Sequence, residues 1–164
     1  MVLGNLVALN YGGTQILTAP SFDPVESLQS VNDYGATIIY GVPTMFIAML
    51  DEYEKNPHKY NIESLRTGFI SGSGCPEALM HRIDKIFGIK DFTTGYGQTE
   101  CSPVIYMCDA HDPFNKKAES VGRLLPMTES KIVNPETGKT VPWGEPGEVY
   151  VRGYLVMKGY WDDE

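Results

Sequence analysis

Gly95-Tyr-Gly-Gln-Thr-Glu100 brings an aromatic ring, a hydroxyl and a carboxylate together within one short glycine-framed stretch. A tyrosine can stack on a purine, a contact worth roughly 1 to 3 kcal/mol per base. A threonine hydroxyl can donate to a phosphate oxygen. A glutamate oxygen is a hard ligand suited to Mg²⁺, which takes one or two protein carboxylates and completes its shell with phosphates and water. Each residue alone fits a solvated turn with Glu100 at the surface; the combination points to a nucleotide, its phosphates and a metal. Upstream, Ser71-Gly-Ser-Gly-Cys-Pro76 offers glycines that let the backbone approach a ligand, and it leads into a helix whose first amides favour an anionic group. A strand-to-helix turn with no ligand remains the alternative for this loop.

Other chemistries fit poorly. Gly138-Lys-Thr140 resembles the end of a Walker loop, but Val133 stands where that motif needs glycine. Gly72-x-Gly74 is followed by Glu77 instead of the third glycine of a dinucleotide fingerprint. Ser71 and Ser73 both lack the glycine two residues earlier that a hydrolase elbow requires. Cys108-x-x-His111 is the sole close Cys/His pair in the sequence and has no further ligands at zinc spacing. His58 and His81 carry no expected role.

The elements that must position the two loops follow from periodicity and punctuation. Met1 to Tyr11 has apolar residues near helical spacing and stops at Gly12-Gly13, which predicts a buried helix. Gln15 to Thr18 predicts a short strand. Asp23 as cap, Pro24 at the first helical position and Gly35 as stop predict a helix over 24–34. Strands are expected at 37–40, 68–71 and 91–94, with helices at 43–53 and 76–87, the last stopping at Gly88. Such alternation predicts an α/β fold with a mostly parallel sheet flanked by helices. Both glycine-rich loops then follow strands, at the carboxyl edge where open α/β sheets bind ligands. Beyond residue 120 the texture changes. Glu129–Val133 and Glu148–Arg152, separated by a turn-rich stretch, predict an antiparallel hairpin and a small β-rich subdomain. The expected division is 1–115 for the α/β part and 116–164 for the β-rich part, the change falling in the polar stretch 109–121.

The chain has 164 residues, 42% of them hydrophobic and 21% charged, and so belongs with ordinary globular domains. Its length suffices for one core without disulfides or metals. A net charge of −8 disfavours nucleic acid and anionic membranes as partners. Three cysteines, Cys75, Cys101 and Cys108, are odd in number and form no C-x-x-C pair, which favours a reducing compartment. The most apolar run, 38–50, is interrupted by Gly41 and Pro43 and falls well short of the ~20 residues of a spanning helix, so no transmembrane segment is expected. The opening Met1-Val-Leu-Gly-Asn has no basic region and does not read as a signal peptide.

Tyr96-Gly-Gln-Thr-Glu100 resembles the Tyr-Gly-x-Thr-Glu motif of the adenylate-forming superfamily of acyl-CoA synthetases, luciferases and peptide-synthetase adenylation domains. Ser71-Gly-Ser-Gly-Cys-Pro76 resembles its Ser-Gly-Gly-Ala-Pro loop, with Ser73 and Cys75 as small replacements. Tyr40-Gly-Val-Pro-Thr44, Ser120-Val-Gly-Arg-Leu-Leu-Pro126, Gly147-Glu-Val-Tyr-Val-Arg-Gly153 and Gly159-Tyr-Trp161 resemble further blocks in the same order. Among subfamilies the chain is most similar to medium-chain acyl-CoA synthetases.

The resemblance implies a set of roles. Gly74, Cys75 and Pro76 would line the adenine side; the Gly95 carbonyl would meet the adenine amino group and Tyr96 would lie against the ring. Gly97 and Gln98 would flank the acyl group, Thr99 would hold the α-phosphate, and Glu100 would hold Mg²⁺. Thr99 and Glu100 would be the catalytic pair. Gly159-Tyr-Trp161 would be structural, supporting the β-rich part. The substrates implied are ATP, a carboxylic acid, expected to be fatty, and CoA, with acyl-adenylate and AMP formed in turn. The family's upstream phosphate loop, its ribose-binding Thr-Gly-Asp and its C-terminal domain with the catalytic lysine have no counterpart here. The chain is therefore expected to be an internal segment of an intracellular enzyme, cytoplasmic or mitochondrial, inactive alone and with Met1 an internal residue. The alternatives are a non-catalytic structural or partner-binding domain derived from such an enzyme, and an unrelated Rossmann-like nucleotide binder.

Overall fold

The computed structural model describes residues 2–89 and 91–162. A π-helical stretch, Val2–Leu6, runs into α1 (Val7–Asn10), and α2 (Pro24–Tyr34), β1 (Ile38–Gly41), α3 (Pro43–Lys55), β2 (Thr67–Ile70), α4 (Glu77–Phe87) and β3 (Asp91–Tyr96) follow. A 3₁₀ turn, Thr99–Cys101, separates β3 from β4 (Tyr106–Met107); then come α5 (Phe114–Glu119), β5 (Arg123–Leu124), β6 (Thr128–Val133) and β7 (Glu148–Gly153). Strands β1 to β5 form one sheet in chain order, parallel from β1 to β3 and antiparallel across β4 and β5. Strands β6 and β7 form a separate antiparallel pair.

Local chemistry sets the helix ends. The Asp23 carboxylate accepts from the Val25 and Glu26 amides at 2.8 and 3.0 Å, and Gly35 ends α2 in the left-handed region at φ 60°. Gly88 ends α4 in the same way. Leu79, Met80, Ile83 and Phe87 line one stripe of α4 and are buried, as helical spacing requires.

The main core packs Leu28 and Val31 of α2, Phe46, Met49 and Leu50 of α3 and the α4 stripe onto Ile39, Ile70 and Phe92 of the sheet. Register places Gly68 between Ile39 and Phe92. A Cβ on Gly68 would come within 2.8 Å of the Phe92 ring, so the glycine is what lets that ring lie flat and meet Phe46 edge-on at 5.3 Å. Tyr40, offset by one residue, points to the other face and stays 42% exposed.

Three expectations change. The N-terminal segment is helical but not buried: Leu6 is 49% and Leu9 74% exposed, because no described element packs over them; Met1 lies outside the described residues. Residues 15–18 pair with no strand, since short β-branched runs form strands only where an edge receives them. Gly95 and Tyr96 belong to β3 itself instead of the following turn, drawn in by antiparallel pairing with Met107 and Tyr106.

The Gly138 tripeptide is a turn. The Asn134 side chain accepts from the Glu136 and Thr137 amides, and Gly138 has φ 67°.

Candidate functional site

Parallel register aligns Ile70 with Thr94, which makes Ser71 and Gly95 neighbours at the carboxyl edge of the sheet. The Ser71 hydroxyl donates to the Gly95 carbonyl at 2.9 Å and ties the two loops together. Beyond Ser71 the chain passes Gly72, at φ 93°, and reaches Pro76, which precedes α4 in extended conformation. No side chain caps this helix start. Gly74 is exposed, with nothing within 4 Å of where a Cβ would stand, so that stretch of backbone is open to a ligand. Cys75 is half-buried against the core, and desolvation pushes its thiol up to about 11.

The second loop is folded back on itself. The Ile105 amide donates to the Tyr96 carbonyl at 2.8 Å, and the Cys101 amide to the Gln98 carbonyl at 2.9 Å. A Cβ on Gly97 would stand 2.0 Å from the Pro103 carbonyl oxygen, which is why glycine separates Tyr96 from Gln98. Gly95 is constrained from the other side by the Phe69 ring, 2.8 Å from its would-be Cβ.

Tyr96 is 43% exposed and tilted against Tyr106 with ring centroids 6.2 Å apart, so part of the side chain is accessible to a ligand. The side chains of Gln98 and Thr99 are also exposed, Gln98 making one long contact to the Cys101 sulfur.

Glu100 sits in the 3₁₀ turn, and two groups engage it. Its carboxylate Oε1 accepts the Tyr160 hydroxyl at 2.8 Å, and its main-chain carbonyl accepts the Met157 amide at 2.9 Å. Its own backbone amide, and then the Tyr160 hydroxyl, hold the carboxyl below the usual range, keeping it ionised at neutral pH. Tyr160 is the residue that sequence reasoning missed as a neighbour of the site. It lies sixty positions away, and no spacing rule links it to Glu100.

The donor set suits a hard cation shared with phosphate. Among the described residues no cluster of three or more His, Cys, Asp or Glu side chains could hold a metal unaided. A single partly exposed carboxylate, here Glu100 beside the Tyr160 hydroxyl, is an arrangement Mg²⁺ accepts when a nucleotide supplies the remaining oxygens. Cavities of about 420 and 360 Å³ lie elsewhere, one between α4, the start of β3 and α5, the other on the β6–β7 pair. The two loops form an open shelf. No helix among the described residues is long and apolar enough to cross a membrane.

Comparison with known proteins places this geometry in context. The family described as AMP-binding enzyme matches residues 1–161. The Bacillus subtilis (strain 168) protein YngI is 45% identical over 163 residues, covering 99% of this chain and 29% of YngI. The mouse protein named medium-chain acyl-CoA ligase ACSF2, mitochondrial, is 40% identical over 160 residues, covering 98% of this chain and 26% of its own length. Among solved structures, the anthranilate CoA ligase AuaEII in complex with anthranoyl-AMP superposes with a TM-score of 0.79 at 27% identity, over 93% of this chain and 28% of that one. The chain thus spans between a quarter and a third of the length of these relatives.

Proposed function

Because the chain belongs to the AMP-binding enzyme family, we propose that it is the adenylate-binding segment of an ATP-dependent, AMP-forming acyl-CoA ligase. The observation that carries the reading is the Ser71 to Gly95 hydrogen bond, which sets the two loops quoted above side by side at one sheet edge. Similarity to a protein named as a medium-chain acyl-CoA ligase supports a fatty acid as the carboxylate.

In the first half-reaction a carboxylate oxygen attacks the α-phosphorus of ATP, and pyrophosphate leaves. In the second, the CoA sulfur attacks the acyl carbonyl carbon, and AMP leaves. Such chemistry is mostly positioning and charge neutralisation. The exposed backbone of Gly74, with Cys75 and Pro76, lines the adenine side. The Gly95 carbonyl has a second lone pair for the adenine amino group after accepting from Ser71. The accessible part of Tyr96 stacks on the ring, Thr99 donates to the α-phosphate, and Gly97 and Gln98 border the acyl group. Glu100 would hold Mg²⁺, which when bound neutralises charge developing on the phosphates. The division into 1–115 and 116–164 is retained as part of the proposal. Three unpaired cysteines support a reducing compartment, the cytoplasm or the mitochondrial matrix.

The test is calorimetric titration of the chain with a nonhydrolysable acyl-adenylate analogue, with and without Mg²⁺. Saturable binding, weakened at least tenfold in Tyr96→Ala, is expected. A folded protein that binds no analogue removes the proposal that these loops form an adenylate pocket by themselves and leaves the family membership standing.

A second reading, a non-catalytic partner-binding domain, draws on the exposure of Trp143 and Trp161, both near-fully accessible. Size-exclusion chromatography separates the two, because a well-behaved monomer counts against the second.

A further inference from the structure

We propose that Tyr160 is a positioning residue for Glu100, holding its carboxylate in the orientation that receives the divalent cation. The inference rests on the reading of Glu100 as the metal-holding group. It departs from the expectation that Gly159-Tyr-Trp161 merely supports the β-rich part.

The segment that follows β7 is fastened to the 3₁₀ turn at three points. Leu155 is buried against Cys101 and Ile105 in a second, smaller core. The Met157 amide donates to the Glu100 carbonyl at 2.9 Å. The Tyr160 hydroxyl donates to Glu100 Oε1 at 2.8 Å. One short stretch therefore engages both the main chain and the side chain of the same residue. Gly159 explains how. Its φ of 153° lies where residues with a side chain rarely go, and nothing stands within 4 Å of its would-be Cβ. The glycine is there for the backbone turn that brings Tyr160 round to Glu100, not for want of space.

The identity of the donor matters. A lysine or arginine at this place would cancel the charge that a cation needs. Among the described residues no ion pair involves Glu100. A phenol donates one hydrogen bond, fixes the carboxylate and leaves its negative charge and remaining lone pairs in place. Partners of this kind orient metal-holding carboxylates, and their loss costs about 10- to 100-fold in metal affinity.

The experiment measures Mn²⁺ affinity by electron paramagnetic resonance, on the chain saturated with a nonhydrolysable ATP analogue, for wild type, Tyr160→Phe, Gly159→Ala and Glu100→Gln. Affinity for the acyl-adenylate analogue without metal and the melting temperature are recorded alongside. Tyr160→Phe is expected to weaken Mn²⁺ about tenfold and to leave metal-free binding and melting temperature unchanged, with Gly159→Ala following it in direction. Unaltered Mn²⁺ affinity in Tyr160→Phe, with affinity lost in Glu100→Gln, overturns the positioning role and leaves the reading of Glu100 standing. Unaltered affinity in Glu100→Gln, or a folded wild type without a Mn²⁺ site, removes that reading and the inference with it. Parallel loss of metal binding, nucleotide binding and melting temperature in Tyr160→Phe makes the residue structural and also overturns the proposal.

Discussion

The Ser71 hydroxyl, one residue past β2, donates to the carbonyl of Gly95 near the end of β3 at 2.9 Å. It ties the two glycine-rich loops together, and the proposed adenine contacts, which come from both loops, depend on their separation. Ser71→Ala removes one partly exposed bond, worth about 1 kcal/mol. Affinity for an acyl-adenylate analogue should fall about fivefold, while the melting temperature moves by a few degrees at most. Titration calorimetry and thermal denaturation check the two effects separately.

At Gly97 an added methyl would strike main chain. The obstruction is the main chain of Pro103 and Val104, 2.0 and 2.7 Å from the would-be Cβ, and no side chain can rotate away to relieve it. Gly97→Ala should cost at least the 1 to 3 kcal/mol or so of an overpacked core and should open the loop. Denaturant unfolding gives the first quantity. Loss of protection from exchange at the Ile105 amide, which donates to the Tyr96 carbonyl, reports the second.

Cys75 supplies a pH signature. Burial raises its thiol from 9.0 to about 11, so the native state holds the proton more tightly than the unfolded chain does. The stability this contributes is fully present below pH 9 and is lost as pH rises through 11. Iodoacetamide modification of the folded chain at pH 8 should run on the order of 100-fold more slowly than in urea. The native rate should keep rising to about pH 11, whereas that of the unfolded chain levels off near 9. Cys101 and Cys108, 3% and 2% exposed, should stay unmodified while the fold holds, as peptide mapping by mass spectrometry would read.

Asp23 carries a purely structural prediction. Its carboxylate satisfies two amides at the start of α2, so Asp23→Ala should cost about 1 kcal/mol. Asp23→Asn should recover most of that, because an amide oxygen can accept the same bonds. A full recovery gap between the two variants in urea unfolding identifies capping as the cause.

The comparison of expectation with structure divides by range. Helices α2 and α4 were legible because cap, stripe and stop are encoded within a dozen residues, and the same locality made the two loops recognisable by composition. The strands β4 and β5, two residues each, left no such trace. They exist because β3 offers an edge on which Tyr106 pairs with Tyr96, and that pairing carries Gly95 and Tyr96 into the sheet. The same reasoning accounts for residues 15–18, whose strand-like composition meets no edge.

The sequence by itself determined the α/β alternation, the boundaries of α2 and α4, the family resemblance and the residue types at both loops, because each is written in spacings of a few residues and in local backbone preference. Tertiary structure alone decided which loops meet, that Gly97 must lack a side chain, that the N-terminal helix stands uncovered, and that Tyr160 reaches Glu100. Those outcomes depend on register, on close approach of distant main chain and on where a glycine turns the backbone. The contacts of Ser71 with Gly95 and of Glu100 with Tyr160 join residues dozens of positions apart, and no local propensity carries that information.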